Sequence, residues 1–133
     1  MKKTIYLLAI AFTLALTVHA QDKKPWQELK DFHAVMGATY HPADEGHLEP
    51  LKARSQELVD KAIAWEKSTA PEGYDKQAVA ASLKKLVAGC KELNKLVKSK
   101  AKDEVLKKKI TALHGVFHEI QEKCEKDEHG DHH

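Results

Sequence analysis

Two histidines four positions apart are the residues of this chain whose type and spacing most directly suggest chemistry. His114 and His118 belong to the segment H-G-V-F-H, and on a helix this spacing puts both imidazoles on one face, one turn apart. Nine histidines occur among the 133 residues, with His33 and His41 as candidates to join the pair. Because imidazole is the commonest side-chain ligand of transition metals, metal or haem binding is the first hypothesis.

The first twenty residues have the pattern of a cleavable secretion signal. Lys2 and Lys3 precede an apolar run over 5–16, and the small residues of Val18-His19-Ala20 follow it. We expect a mature protein that begins at Gln21 and is located in the periplasm. Because no second apolar stretch approaches the ~20 residues that a bilayer requires, no membrane partner is expected after cleavage.

The charge balance weakens the case for a nucleic-acid partner. The full chain carries 22 basic and 20 acidic residues, and removal of Lys2 and Lys3 with the leader makes the two numbers equal. Phosphate binding requires a basic excess on one face. The lysine runs over 98–102 and 107–109 are therefore interpreted as solvated helix surface and a loop, and nucleic acid is not expected as a partner.

Breaker residues and apolar periodicity predict four helices. Pro25 suits a first helical turn, and Asp75 and Asp103 suit N-caps. Short connections favour antiparallel neighbours, so the predicted fold is an all-α, antiparallel up-down-up-down four-helix bundle. The predicted helices cover about 25–40, 47–69, 75–97 and 103–125, in a domain over 21–126 that precedes a flexible His-rich tail over 127–133.

Apolar residues recur at heptad-like spacing in each predicted helix. His33 falls within the stripe of helix 1, whereas His114 and His118 flank the stripe of helix 4. The predicted core positions are Trp26, Leu29, His33, Met36 and Tyr40; Leu48, Leu51, Ser55, Leu58, Ala62 and Trp65; Val79, Leu83, Leu86, Cys90, Leu93 and Val97; and Leu106, Ile110, Leu113, Phe117, Ile120 and Cys124.

Alignment of the helix ends predicts which residues lie at one height. At ~1.5 Å per residue, helices 1 and 4 pair where residue numbers sum to about 151, and helices 3 and 4 where they sum to about 201. This sets His33 opposite His118. The connection that follows helix 1 then carries His41 past His114.

The same alignment brings three helix-interior glycines, Gly37, Gly89 and Gly115, to one level. Glycine inside a helix costs about 1 kcal/mol relative to alanine, so three glycines at one height require a reason. Either the helices approach closely there, or a ligand occupies the space.

Each candidate ligand also has a purely structural interpretation. His33 alone is explained as a buried histidine with a hydrogen-bond partner, and the pair formed by His114 and His118 as an exposed pair. Met36 is more typical of core packing than of copper ligation. The histidines at positions 129, 132 and 133 form either a weak metal-binding tail or a polar chain end.

The two cysteines are not expected to form an intramolecular disulfide, although the periplasm is oxidising. Cys90 and Cys124 lie about 15 residues apart in height, which separates their Cα atoms by ~20 Å. Cys90 is interpreted as a small core residue. Cys124 is left free or paired between chains, so a homodimer stays open.

Several catalytic and cofactor motifs are absent from the sequence. It contains no C-x-x-C-H motif for covalent haem attachment, no glycine-rich phosphate loop and no nucleophile elbow. The paired Glu-x-x-His motifs of di-iron bundles are also missing. With no nucleophile–base pair in view, enzymatic activity is not expected.

A secretion signal followed by a short, Lys-rich and Ala-rich four-helix bundle resembles the periplasmic b-type cytochromes and the cytochrome c-prime group. The resemblance covers the mature chain at the level of the fold. It implies haem b, with Met36 and either His114 or His118 as axial ligands. In the b-type family the ligands lie near the chain termini, whereas Met36 lies late in helix 1. The resemblance therefore supports the fold more than it supports haem.

The function predicted from the residues is transition-metal binding by a small periplasmic buffer, carrier or sensor. The predicted ligands are His41, His114 and His118, with His33 as a fourth, a set that suits zinc or copper as divalent ions. A b-type haem protein that transfers electrons is the alternative. A ligand-free structural or chaperone-like helical protein is the third hypothesis.

Overall fold

A computed structural model describes residues 25–123 of the chain, and this region is all-helical, as predicted. The leader, Cys124 and the His-rich tail lie outside the described residues. Each helix packs against the next one in the chain, and the fourth also packs against the first. The helices are α1 (Gln27–Asp44), α2 (Glu49–Lys67), α3 (Lys76–Lys98) and α4 (Asp103–His118), and α4 is followed directly by a π-helix (Glu119–Lys123).

Of the two predicted N-cap residues, Asp75 caps its helix and Asp103 does not. Asp75 caps α3, because its carboxylate accepts hydrogen bonds from the backbone N–H groups of Gln77 and Ala78. The prediction for Asp103 was wrong by one position, since Lys102 precedes the helix and Asp103 lies in its first turn. There its carboxylate is favourably placed near the positive end of the helix dipole and lies 2.8 Å from Nζ of Lys52.

Helix α1 is longer than its sequence predicts, and this moves His41 from a connection onto a helix. The helix continues through Pro42 to Asp44, where proline in the last turn costs one backbone hydrogen bond without ending the helix. The chain leaves the helix at Gly46, which has φ of +95°. The backbone N–H of His47 then donates to the carbonyl of Pro42 at 2.8 Å, as in a Schellman C-cap.

The predicted core is confirmed in α2, nearly all of α3 and the described part of α4, but α1 is rotated from its predicted orientation. Trp26, Leu29 and Met36 are buried as predicted, whereas His33 is exposed and Tyr40 is only half-buried. A second stripe of α1 enters the core instead, because it offers larger apolar surface to α2 and α4. Its residues are Leu29, Phe32, Val35, Met36, Thr39 and Ala43.

Two contacts between α3 and α4 fit the predicted register. Nζ of Lys109 lies 2.7 Å from Oε2 of Glu92, a pair whose numbers have the expected sum. About one helical turn away from this pair, a Cβ atom added at Gly89 would collide with Cδ2 of Leu113. Gly89 therefore permits a close approach of the two helices.

The other two helix-interior glycines do not share this role, so the three do not mark one tight level. A Cβ atom at Gly37 would make an ordinary contact of 3.8 Å with Cδ2 of His41, and one at Gly115 would meet no atom within 4 Å. Only Gly89 has a packing reason. Gly115 is exposed, so it neither marks a close approach of helices nor indicates that a ligand fills the space beside it.

Candidate metal site between helices α1 and α4

The four predicted ligands lie along the contact between α1 and α4, and we call them the histidine cluster: His33, His41, His114 and His118. His33 and His41 are exposed on α1, eight residues apart, and His114 and His118 are half-buried on α4. The two pairs are more than seventy residues apart in the sequence, and the packing of α4 on α1 brings them together.

His114 and His118 meet through their Nε2 atoms. These two atoms are 3.1 Å apart, and the ring planes are nearly perpendicular, at 87°. The spacing of four residues therefore produces the expected pair on one face of the helix. Because neutral imidazole has one N–H donor and one acceptor nitrogen, one of these Nε2 atoms donates to the other.

The separation of the two Nε2 atoms matches the bite of a single metal ion. With metal–nitrogen bonds of about 2.0–2.1 Å, two imidazole nitrogens lie about 2.9 Å apart at a right angle and about 3.3 Å apart at the tetrahedral angle. The observed 3.1 Å falls between these values. A divalent ion bound by both Nε2 atoms would take the place of the shared proton, which the donor ring would have to carry on its own Nδ1 instead, and both rings would have to turn until their lone pairs meet at the ion.

Tyr40 holds the ring of His114 from the α1 side. The two rings are stacked with centroids 3.9 Å apart and an interplanar angle of 11°. The ring of His41, on the next residue of α1, has its centroid 6.4 Å from that of His114. The heptad pattern predicts Tyr40 as a core residue, and only its position beside His41 in the sequence indicates a role at the site.

His33 is the most peripheral member of the cluster. Its ring stacks on Phe117 with centroids 4.8 Å apart, so it covers an edge of the core without entering it. Phe117 is fully buried and also contacts Phe32 and Trp65, at centroid distances of 6.0 and 5.9 Å. The rigid aromatic core thus supports α4 between its two histidines.

Electrostatics favour the neutral, metal-binding form of His114. Burial lowers its pKa below the usual value, and the nearby imidazoles of His118, His41 and His33 lower it further, while the Asp44 carboxylate opposes the shift. Burial and like charges both disfavour the protonated ring. A lone pair on His114 is therefore available at neutral pH.

His118 has a second nitrogen in an unusual environment. Its Nδ1 atom is enclosed and makes no hydrogen bond, although the side chain as a whole is 43% exposed. Oε1 of Glu122, one helical turn further along, lies 3.5 Å from this atom. No feature of the sequence alone singled out Glu122.

Met36, the predicted haem ligand of helix α1, and the buried Cys90 both lie in the core. Met36 has no exposed surface, whereas His114 is half-buried at the flank of the bundle, so one haem iron could bind both only if the core opened. Cys90 is buried as predicted and free, and burial raises the pKa of its thiol to about 12. A thiol that resists deprotonation is a poor metal ligand.

The histidine cluster is not a complete metal centre as it stands. Within residues 25–123, no three His, Cys, Asp or Glu side chains are already arranged around one point that could hold a metal ion. His114 and His118 supply two converging nitrogens. A third ligand has to come from a side chain that reorients, and both His41 and His33 are exposed enough to do so.

Comparisons with known proteins add no assignment. No family model, no curated protein and no solved structure matches the chain. Among the described residues, none of the helices is long and apolar enough to cross a membrane.

Proposed function

We propose that this protein binds a divalent transition metal, zinc or copper, and serves as a periplasmic metal buffer, carrier or sensor. His114 and His118 are the primary ligands, and His41 or His33 completes the site. The observation that carries the proposal is the 3.1 Å separation of the two Nε2 atoms, because it equals the bite of one metal ion within a few tenths of an ångström.

The exposed histidines of α1 suit the role of a closing ligand. His41 and His33 make ring contacts at the edge of the core, and neither has a buried position to give up when its ring turns. Both contribute to the electrostatic environment of His114. A site with two fixed ligands and one recruited ligand suits reversible binding better than permanent storage.

The distribution of charge supports a cationic ligand. Residues 25–75, which include α1 and α2, carry ten acidic and five basic side chains, whereas residues 76–109 carry eleven lysines and three acidic side chains. The cluster lies on α1 and the second half of α4, beyond the lysine-rich stretch. An acidic surface raises the local concentration of cations.

The antiparallel up-down-up-down topology belongs to the same proposal. It is supported by the short connections between helices and by the contact of α4 with both α1 and α3. The periplasmic location rests on the leader pattern over residues 1–20.

Metal titration of the mature chain, beginning at residue 21, tests the function. We expect His114→Ala combined with His118→Ala to lower zinc or copper affinity by about tenfold or more, since each imidazole adds a coordinate bond. Isothermal titration calorimetry measures the affinity. His47→Ala, which removes an exposed histidine outside the cluster, and deletion of residues 129–133 are the controls and should change little.

Three results of binding experiments contradict the proposal. One is loss of binding on deletion of residues 129–133 with binding retained in the double variant. Another is uptake of haem, seen as a Soret band that the double variant loses, which supports the b-type haem alternative with His114 or His118 as a ligand. The third is a chain that binds neither metal nor haem, which supports the ligand-free structural hypothesis.

A further inference from the structure

We propose that Glu122 is a positioning residue that holds the proton of His118 on Nδ1 and so leaves the Nε2 lone pair directed at His114, ready for a metal. This rests on the proposed function, and it assigns a second-sphere partner to the same site. The juxtaposition that carries it is an enclosed Nδ1 atom with no hydrogen bond and a carboxylate oxygen 3.5 Å away.

The shared proton between the two histidines allows only two arrangements. In the first, His114 donates from Nε2 and His118 carries its own proton on Nδ1. In the second, His118 donates from Nε2 and its Nδ1 has a bare lone pair. Both arrangements satisfy the 3.1 Å contact between the Nε2 atoms, so that contact does not choose between them.

Glu122 chooses between the two arrangements because an ionised carboxylate can only accept a hydrogen bond. A bare lone pair on Nδ1 of His118 would face the negative oxygen of Glu122 and repel it, whereas an Nδ1–H would be attracted. The first arrangement is therefore favoured. It makes Nε2 of His118 the acceptor nitrogen, the atom through which this ring would bind a metal. His114 would join as a ligand once its proton moves from Nε2 to its own Nδ1.

The turn that carries Glu122 is anchored in the bundle. Glu122 belongs to the π-helix that follows α4, and Ile120 of the same turn is fully buried. This turn also packs against α3. The backbone of Glu122 is therefore held in place, while its side chain, 67% exposed, needs to move only a few tenths of an ångström to form a hydrogen bond of about 3 Å with Nδ1.

A metal-free measurement tests the proton assignment first. Nitrogen-15 NMR of the imidazole rings at neutral pH distinguishes the two forms, and we expect His118 to be mainly Nδ1–H in the wild type. Glu122→Gln keeps the size and removes the charge, and its amide can satisfy either form, so the Nδ1–H preference should fall. Glu119→Gln, the same change in the same π-helix, is the matched control and should leave the spectrum of His118 unchanged.

Metal affinity is the second readout. We expect Glu122→Gln to weaken zinc or copper binding by about tenfold, the usual effect of removing a second-sphere partner, with Glu119→Gln close to the wild type. Circular dichroism confirms that both variants keep the helical fold, so the comparison isolates the site.

The outcomes separate this proposal from the proposed function. A wild-type His118 that is mainly Nε2–H, or an Nδ1–H form that Glu122→Gln leaves intact, overturns the role of Glu122 even if metal binds. If His118 is Nδ1–H and depends on Glu122 but the wild type binds no metal, the proton assignment stands, and both the proposed function and the positioning of a metal ligand are refuted.

Discussion

The two flanks of helix α4 differ in how they meet their neighbours. On the α3 side, Leu113 packs so closely that Gly89 is needed opposite it. On the α1 side, the next residue, His114, is half-buried and stacks on the face of Tyr40. Leu113 and His114 thus contact different helices, because successive side chains of a helix point about 100° apart.

The residues that stabilise the fold and the candidate metal ligands lie on different sides of helix α4. The flank toward α3 consists of buried aliphatic groups whose burial stabilises the fold. The flank toward α1 consists of stacked ring pairs, His33 on Phe117 and Tyr40 on His114. Changes on the first flank should therefore alter the free energy of unfolding, and changes on the second should alter metal affinity.

Leu113→Ala gives the largest expected effect. It removes a side chain that is only 4% exposed, and the resulting cavity should lower the free energy of unfolding by about 2–5 kcal/mol. Urea denaturation measures this change. In the folded variant, zinc or copper affinity should stay near that of the wild type, and a loss of affinity as large as that of the His114 and His118 double variant would break the separation of the two flanks.

Replacement of Gly89 and of Gly115 by alanine should change the stability of the fold in opposite directions. Gly89→Ala forces a Cβ atom into Leu113 and should cost a net ~1 kcal/mol, because overpacking outweighs the gain in helix propensity. Gly115→Ala meets open space and should stabilise the fold by about 1 kcal/mol. Thermal unfolding of both variants checks the signs, and stabilisation by Gly89→Ala would disprove the close approach.

Replacement of Tyr40 tests whether the stacked ring fixes His114. Tyr40→Leu removes the stack and should cost about 0.5–1.5 kcal/mol of stability, together with a measurable loss of metal affinity as the His114 ring becomes less oriented. Tyr40→Phe retains the stack and is the matched control. Equal affinities for the two variants would show that Tyr40 only fills space.

The smallest expected effect is a dependence of stability on pH through His114. Burial lowers its pKa in the folded protein below the value of about 6.5 in the unfolded chain, while His118, His41 and His33 act in the same direction and Asp44 in the opposite one. As the pH falls below about 6.5, the unfolded chain takes up the proton first, so the free energy of unfolding decreases until the folded ring also titrates.

Urea denaturation between pH 7.5 and pH 5 measures this contribution as the difference between the wild type and His114→Ala. The wild type should lose more stability than the variant as the pH falls. Metal affinity should fall over the same range because protons compete for the ligand nitrogens. A wild type that gains stability relative to His114→Ala at low pH would contradict the assigned direction of the shift.

Local sequence patterns determined much of this protein. The apolar stripe of α2, most of that of α3 and that of α4 through Ile120 are buried as their spacing predicts, and the cap at Asp75 fixes the start of α3. The pairing of His114 with His118 follows from a spacing of four on a helix. The contacts of Lys109 with Glu92 and of Leu113 with Gly89 fit the register expected from aligned helix ends, because the rise per residue of a helix is constant.

Only the tertiary structure decided the orientation of α1 and therefore the composition of the site. Two overlapping stripes of α1 share Leu29 and Met36, and packing selected the one with Phe32, which left His33 at the surface. That choice also placed Tyr40 against His114. Helix periodicity alone does not choose between two overlapping stripes, because the choice depends on which surfaces of α2 and α4 are there to be filled.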